Sequence, residues 1–375
     1  MEKVGIVGGG LAGLVASVVL ARNGIQCILF EKREYPFHRV CGEYVSNEVL
    51  PFLKEAELFP SHLDPPHIDR LWLTSVGGRM AEMPLSLGGF GVSRKSFDFF
   101  LYQKALAAGV DVRCGIEIMA IERAREKFLI RSADETFETD VVIGAQGKRS
   151  RIDVQQGRAF MTKRSPYAGV KYHAMTKQPR DTIALHNFSG GYCGVSQVEG
   201  GVSNICYLVH RNQLRRHGSV KELERKVLWN NPFLRELFTE SQWQFDKPEV
   251  ISEITFEVKE PVYNHILMVG DAAGMITPLC GNGMAMAIRS GKTAADLVIR
   301  YIKLGMDRAH LEEQYRQWWH QQFSTHLWMG RQIQRLFGGV WTSNQAVNLC
   351  RYFPSVASLL IRQTHGKPFG SVCHS

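Results

Sequence analysis

The 375-residue chain lacks any Cys-x-x-Cys pair, although it holds eight cysteines, at 27, 41, 114, 193, 206, 280, 350 and 373. With no Cys/His spacing of the metal-site type, the chain has no sequence signature of a zinc or iron–sulfur centre, and a reducing, cytoplasmic setting is expected. Also missing is an uninterrupted apolar run of about 18 residues, so no segment is predicted to span a membrane. The apolar N-terminus is broken by glycines and has no small-residue cleavage pattern, which argues against a signal peptide. No internal repeat, low-complexity linker or nucleic-acid module is present. Charge is not scarce: 45 basic against 36 acidic residues leave a formal +9. Its scatter reads first as a solvated basic surface, with an anionic partner as the sharper alternative.

What is present begins at once. Val4-Gly5-Ile6-Val7 is a short apolar strand running into Gly8-Gly9-Gly10-Leu11-Ala12-Gly13, and the run Leu14 to Ala21 then has helical period. A second strand, Cys27-Ile28-Leu29-Phe30, ends at Glu31. A glycine-rich turn alone is compatible with no ligand at all, but strand, turn, helix, strand and acid at this spacing predict a dinucleotide-binding unit. Gly8 would permit the tight turn, Gly10 the approach of a pyrophosphate and Gly13 close helix–strand packing, while Glu31 would accept hydrogen bonds from a ribose.

A second segment narrows the ligand. Ile266-Leu267-Met268-Val269-Gly270-Asp271-Ala272-Ala273-Gly274 reads as strand and acidic turn, followed by the loop through Gly281, Gly283 and Met284 and a helix to about Val298. An Asp at a strand end suits a ribityl hydroxyl, and the next helix N-terminus suits negative charge on a reduced flavin ring. With one Gly-x-Gly-x-x-Gly in the chain, a separate nicotinamide domain is not expected.

These motifs resemble those of the flavoprotein superfamily that contains para-hydroxybenzoate hydroxylase-like monooxygenases and geranylgeranyl reductases. The resemblance spans most of the first 300 residues, through Gly8-x-Gly10-x-x-Gly13 with Glu31, Val40-Cys41-Gly42-Glu43, Ser93-Arg94 with Phe97-Asp98, Val142 to Gly147 with Ser150, and Gly270-Asp271-Ala272-Ala273. It implies non-covalent FAD, with Arg94 near the pyrophosphate or adenosine and Asp271 on the ribityl chain. Lys32, Arg39 and Ile118 are assigned to the cofactor with them, as are Leu11, Ala12, Gly281, Gly283 and Met284. Two departures stand out. The acid usual in the family's second motif is replaced by Gln146, and the stretch Gly190 to Gln197 lacks the Trp and Pro of many prenyl reductases. The Trp-x-Trp-x-Ile-Pro of flavin-dependent halogenases is absent.

The expected fold class is α/β: a Rossmann-type FAD-binding domain, a β-sheet substrate domain and a helical C-terminal region. The 45% apolar content supports a large core. The FAD-binding domain is expected to be discontinuous, from 1–70, 94–160 and 258–305, with 71–93 and 161–257 forming the substrate sheet and 306–375 the helices. Within the last of these, Leu311, Tyr315, Trp318, Trp319, Phe323, Leu327, Ile333 and Phe337 recur at helical spacing, as a core stripe or as the wall of an apolar cavity or a membrane-touching face.

Cys41 is the candidate catalytic residue, since the resemblance places a cysteine here close to the flavin ring. Its alternative is a small buried residue in a glycine turn. Glu43 is a proton donor or a fold-stabilising carboxylate; His173 and Tyr192 could donate a proton or hydrogen-bond a phenolic substrate but read first as satisfied sheet residues and are not assigned as catalytic. Asp98 is expected to favour a helix dipole, so that Asp271→Ala should cost more FAD than Asp98→Ala. The function expected is FAD-dependent hydroxylation of an aromatic or polyketide-like small molecule, with NAD(P)H as electron donor. The alternative is reduction of double bonds in a prenyl lipid. Peripheral membrane contact and oligomeric state stay open.

Overall fold

The computed structural model describes residues 2–163, 165–334, 337–363 and 365–370, without the side chains of residues 280 and 360. Cys373 lies outside the described residues. The first motif forms as its residues dictate. Lys3–Val7 is the central strand of a six-stranded sheet in the order Val262–Tyr263, Ile266–Met268, Val141–Gly144, Lys3–Val7, Gln26–Phe30 and Asp111–Arg113. All neighbours are parallel except the edge pair Val262–Tyr263 with Ile266–Met268. Near-continuous apolar strands such as Cys27 to Phe30 suit a sheet covered on both faces. One cover is the helix Leu11–Arg22, which lies against the 22-residue helix Gly283–Leu304. The two approach so closely that a Cβ on Gly291 would come within 2.2 Å of the Ala12 carbonyl oxygen.

A second, nine-stranded sheet gathers the segments expected in the substrate region and adds Tyr44–Ser46 at one edge. Its strands Tyr167–Met175, Ser203–His210 and Gly191–Gln197 pair antiparallel, so successive residues alternate between two faces. Val170, Tyr172, Ile205 and Tyr207 face back onto Leu223, Leu228 and Leu234 of the helices that follow. Gly169, Lys171, His173, Asn204, Cys206, Tyr192 and Leu208 take the opposite positions and form the front. A small three-stranded sheet, Ala120–Ala124 with Lys127–Arg131 and Thr136–Thr139, buries Phe128 and Ile130 against the first core.

A helix begins directly after Ser93. It spans Arg94–Ala107, because the Ser93 hydroxyl accepts a hydrogen bond from the Ser96 N–H at 3.1 Å and caps it. Towards the C-terminus, Arg308–Gln334 buries Leu311, Tyr315, Trp319 and Phe323 at four-residue spacing. The Tyr315 hydroxyl donates to the Met268 carbonyl at 2.7 Å, so this part of the aromatic stripe is core. Gly338-Gly339 breaks the helical run, after which Val340–Tyr352 and Pro354–Arg362 form two shorter helices packed on each other and on the strand Met80–Gly91. Among the described residues no helix is long and apolar enough to cross a membrane.

Candidate cofactor and substrate site

At the carboxyl ends of the parallel strands two helix N-termini are left without side-chain caps or first-turn acids, those of Leu11–Arg22 and Gly283–Leu304. Each therefore presents free N–H groups and the positive end of its dipole. Gly8 has φ +114°, and a Cβ there would lie 2.2 Å from the Ala145 carbonyl oxygen, so its role is the turn itself. Gly10 differs. A Cβ on Gly10 would meet only the Arg94 guanidinium at 3.5 Å, which leaves open space in front of the helix. That cradle, filled by no protein atom and bordered by a guanidinium, fits a pyrophosphate.

Charged groups surround the opening. Glu31 is buried and accepts from the Gly9 N–H at 3.0 Å, from the Arg33 N–H at 3.1 Å and from Arg39 at 2.9 Å. Arg39 also reaches Asp98 at 3.2 Å, and Arg94 grips the same carboxylate with two hydrogen bonds of 2.7 Å. Burial works against the Arg94 charge, but Asp98 overcomes it and holds the guanidinium above its ordinary value. Asp98 is thus more than a dipole partner: it orders both arginines, four residues from Arg94 on one helix face. The comparison with Asp271 changes accordingly. Asp98→Ala should lower both the unfolding midpoint and FAD retention, whereas Asp271→Ala should lower FAD retention with the midpoint nearly kept; thermal melts and flavin-to-protein absorbance ratios on both variants check this. Lys32 does not join the group, since its exposed ammonium faces Glu117 at 3.7 Å. Ile118 is buried within the apolar core.

On the flavin side, Asp271 follows the strand Ile266–Met268, and burial raises its carboxyl against the opposing pull of Lys259. Lys259, which sequence reasoning missed, donates to the carbonyls of Asp271 and Lys148, each at 2.7 Å, and so ties two loops together. Burial brings its ammonium down to about 8. The departure at Gln146 also has a local reason. Its amide donates to Asp153 at 3.4 Å, and Asp153 is already ion-paired with the buried Arg158 at 3.0 Å. A carboxylate at 146 would face another carboxylate there.

The front of the large sheet closes over this groove and has two poles. At the polar pole, Glu43 is fully buried at φ +55° and its carboxylate accepts from the Arg94 N–H at 2.7 Å, from Lys171 at 2.5 Å and from His173 at 2.7 Å. Burial would raise this carboxyl, but Lys171 and His173 prevail and hold it at about 2. Glu43 is therefore an anion that positions Lys171 and His173. Beside it, burial pushes the Cys41 thiol up, and its backbone carbonyl accepts from Asn204 at 3.1 Å. His38 packs edge-on to His173 at 5.1 Å between ring centres, and burial together with Lys171 brings its imidazole down to about 4. The apolar pole consists of Tyr192, Leu208, Ile254, Met275, Leu279 and Phe337. Tyr44, next to Glu43, lies against Gly281 at the mouth of the second helix, so the polar pole and the uncapped N-terminus share one space. Tyr35, also unforeseen, closes over Gly9 and donates to its carbonyl at 2.5 Å. Lys171, which sequence reasoning missed, could have been found from its alternation with His173 on a strand whose other face is apolar.

An anion cradle at a parallel strand end, an acid at a second strand end and a two-poled cavity between them define a dinucleotide-dependent oxidoreductase of the flavin class. Residues 1–317 match the FAD binding domain family, and the chain belongs to that family. It is an FAD-dependent oxidoreductase. Digeranylgeranylglycerophospholipid reductase of Methanocaldococcus jannaschii is 27% identical over 331 residues, covering 84% of this chain and 81% of that protein. The fold is shared with a geranylgeranyl bacteriochlorophyll reductase-like protein of Thermoplasma acidophilum, at TM-score 0.77, 21% identity and 97% and 100% coverage of the two chains. A flavin-dependent brominase variant has the same TM-score of 0.77 at 16% identity, with 96% and 94% covered. That likeness is one of fold.

Proposed function

We propose that the protein hydroxylates an aromatic or polyketide-like small molecule with dioxygen, using FAD held by Gly10, Leu11, Ala12, Glu31, Arg39, Arg94, Asp271 and the N-terminus at Gly283 and Met284. The observation that carries this reading is the two-poled front of the large sheet. A substrate with a phenolic end and an apolar remainder meets Glu43, His173 and Lys171 at one pole and Tyr192, Leu208 and Phe337 at the other. FAD held by these residues would supply electron transfer to dioxygen. The chain's own residues then do three things. The pair Lys171 and His173 orients an electron-rich phenol, Glu43 fixes both, and the apolar pole excludes water. One oxygen atom enters a ring carbon and the other leaves as water, with two electrons supplied by NAD(P)H. A single dinucleotide motif supports transient binding of that donor. The six described free cysteines fit a reducing cytoplasm.

A second reading, saturation of a prenyl double bond, is favoured by Cys41 beside Arg94 and by the reductase relative. It needs no oxygen, which separates the two. Reduced protein given a phenolic lipid under labelled dioxygen is expected to place one labelled oxygen in the product. Anaerobic saturation of a prenyl substrate, lost in Cys41→Ala, would replace this proposal with the second reading.

A further inference from the structure

The scattered basic charge has one exception. After Glu313 the sequence contains no Asp or Glu, while Arg316, Arg331, Arg335, Arg351, Arg362 and Lys367 all follow. The same stretch carries the densest group of exposed apolar side chains among the described residues: Trp341 at 71% exposure, Tyr352 at 65%, Phe353 at 61% and Leu359 at 57%, with Val340 and Val356 beside them in sequence. The two short helices that bear them bury their opposite sides. Ser343 and Val347 face inward from the first and Ala357 from the second, the Val347 side against Leu73 and Ala81. The outward side therefore does not stabilise the fold, and water around it is unfavourable. Exposed Arg351 and Arg362 flank the apolar residues of the second helix, as cations do beside an apolar face that lies in a headgroup layer.

We infer that the helix pair Val340–Tyr352 and Pro354–Arg362 seats the protein on the surface of an anionic lipid bilayer. A second copy of the chain fits this face less well, because a two-fold contact sets like residues near one another and would gather the cations of two helices that carry no carboxylate of their own. Anionic lipid supplies both an apolar layer for Trp341, Phe353 and Leu359 and negative charge for Arg351, Arg362 and Lys367. A cavity supports the same orientation. A space of about 360 Å³, lined by Tyr167, Gly191, His210, Gln334, Phe337 and Gly338, opens two residues before Val340. Tyr167 and Phe337 also belong to the apolar cluster at the apolar pole, so the patch borders an approach to the site. The docking does not depend on oxygen chemistry and stands or falls separately from it.

Flotation of the FAD-loaded protein with vesicles tests the inference. Recovery with phosphatidylcholine vesicles containing about 30% phosphatidylglycerol is expected to exceed that with phosphatidylcholine alone on the order of tenfold, and to fall in about 0.5 M salt. The variant Trp341→Ser/Phe353→Ser/Leu359→Ser should lose on the order of tenfold while keeping its flavin absorbance and unfolding midpoint, since these side chains are exposed. Arg351→Gln/Arg362→Gln/Lys367→Gln should lose only the preference for anionic vesicles. Any of three results overturns the inference: no flotation of the unaltered protein, equal flotation of the serine variant, or a concentration-dependent dimer or an acidic-protein complex that those same serines abolish while flotation persists.

Discussion

Glu43→Ala is expected to destabilise the fold by about 3–5 kcal/mol, because it leaves the buried Lys171 ammonium with only the Arg39 carbonyl and no counter-charge. Lys171→Met should cost a similar amount by the reciprocal argument. The double variant Glu43→Ala/Lys171→Met should lose much less than the sum of the two, since an absent pair no longer leaves a charge stranded. Urea unfolding of the three proteins measures the coupling, and additive losses would remove the pair from the account of stability. The cluster also sets a pH course. Glu43 sits at about 2 against a usual 4.5, so its contribution is complete above about 4.5 and is lost as pH falls towards 2. His38 and His186, both brought down to about 4 by burial, act earlier. The fully buried His186 must be neutral in the fold, so its contribution to stability declines from about pH 6.5 to 4 by up to about 1.4 kcal/mol per pH unit, and the half-exposed His38 adds a smaller, solvent-screened decline in the same direction. Denaturant midpoints measured across this range should fall in two stages.

Gly10→Leu is expected to yield a colourless, folded protein. The space before Gly10 holds no protein atom apart from the neighbouring Arg94 guanidinium, so the new side chain has little to disrupt in the fold and occupies the pyrophosphate's place. The loss in FAD affinity should be at least about 1–3 kcal/mol, the usual scale for overfilling a fitted space. Gly8→Leu makes a useful contrast: its Cβ meets the Ala145 carbonyl and its φ is positive, so it should unfold the chain as well as bleach it. Flavin absorbance together with a melting curve separates these outcomes. Retained yellow colour in folded Gly10→Leu would mean that the phosphate lies elsewhere.

The parts of the site legible in the sequence were those built from neighbouring residues. The turn from Gly8 to Gly13 and the turn at Asp271 each lie within a few residues, and strand, acid and helix appear in order. Glu31 was placed at the opening but not with its partners. Lys32 next to it points to the surface, a difference of one residue that no spacing rule resolved. Arg94 and Asp98 did carry a signal, four apart on a helix, which the reading of Asp98 as a dipole partner obscured. The polar pole was harder to foresee because Glu43 and Lys171 lie 128 positions apart and meet only once the large sheet has gathered Tyr44–Ser46 and Tyr167–Met175 into one layer. Gln146 looked like a weakness in the motif and is instead a local answer to Asp153. The helical character of the C-terminal region followed from its periodicity, but its exposed pair could not be separated from core without knowing which side meets the strand Met80–Gly91.

The alternation along Tyr167–Met175 has a consequence for assembly. Lys171 and His173 project to one side of that strand and Val170 and Tyr172 to the other. A slip of one residue in pairing with Ser203–His210 would drive an ammonium into a layer of aliphatic side chains and turn two apolar residues towards Glu43, leaving charge unmatched on both sides. The mispaired sheet would be disfavoured by the very groups proposed to hold substrate. Those residues therefore also hold the pairing in register, and variants that neutralise them should yield less soluble protein on refolding from urea than the unaltered chain, even where the finished protein tolerates the change.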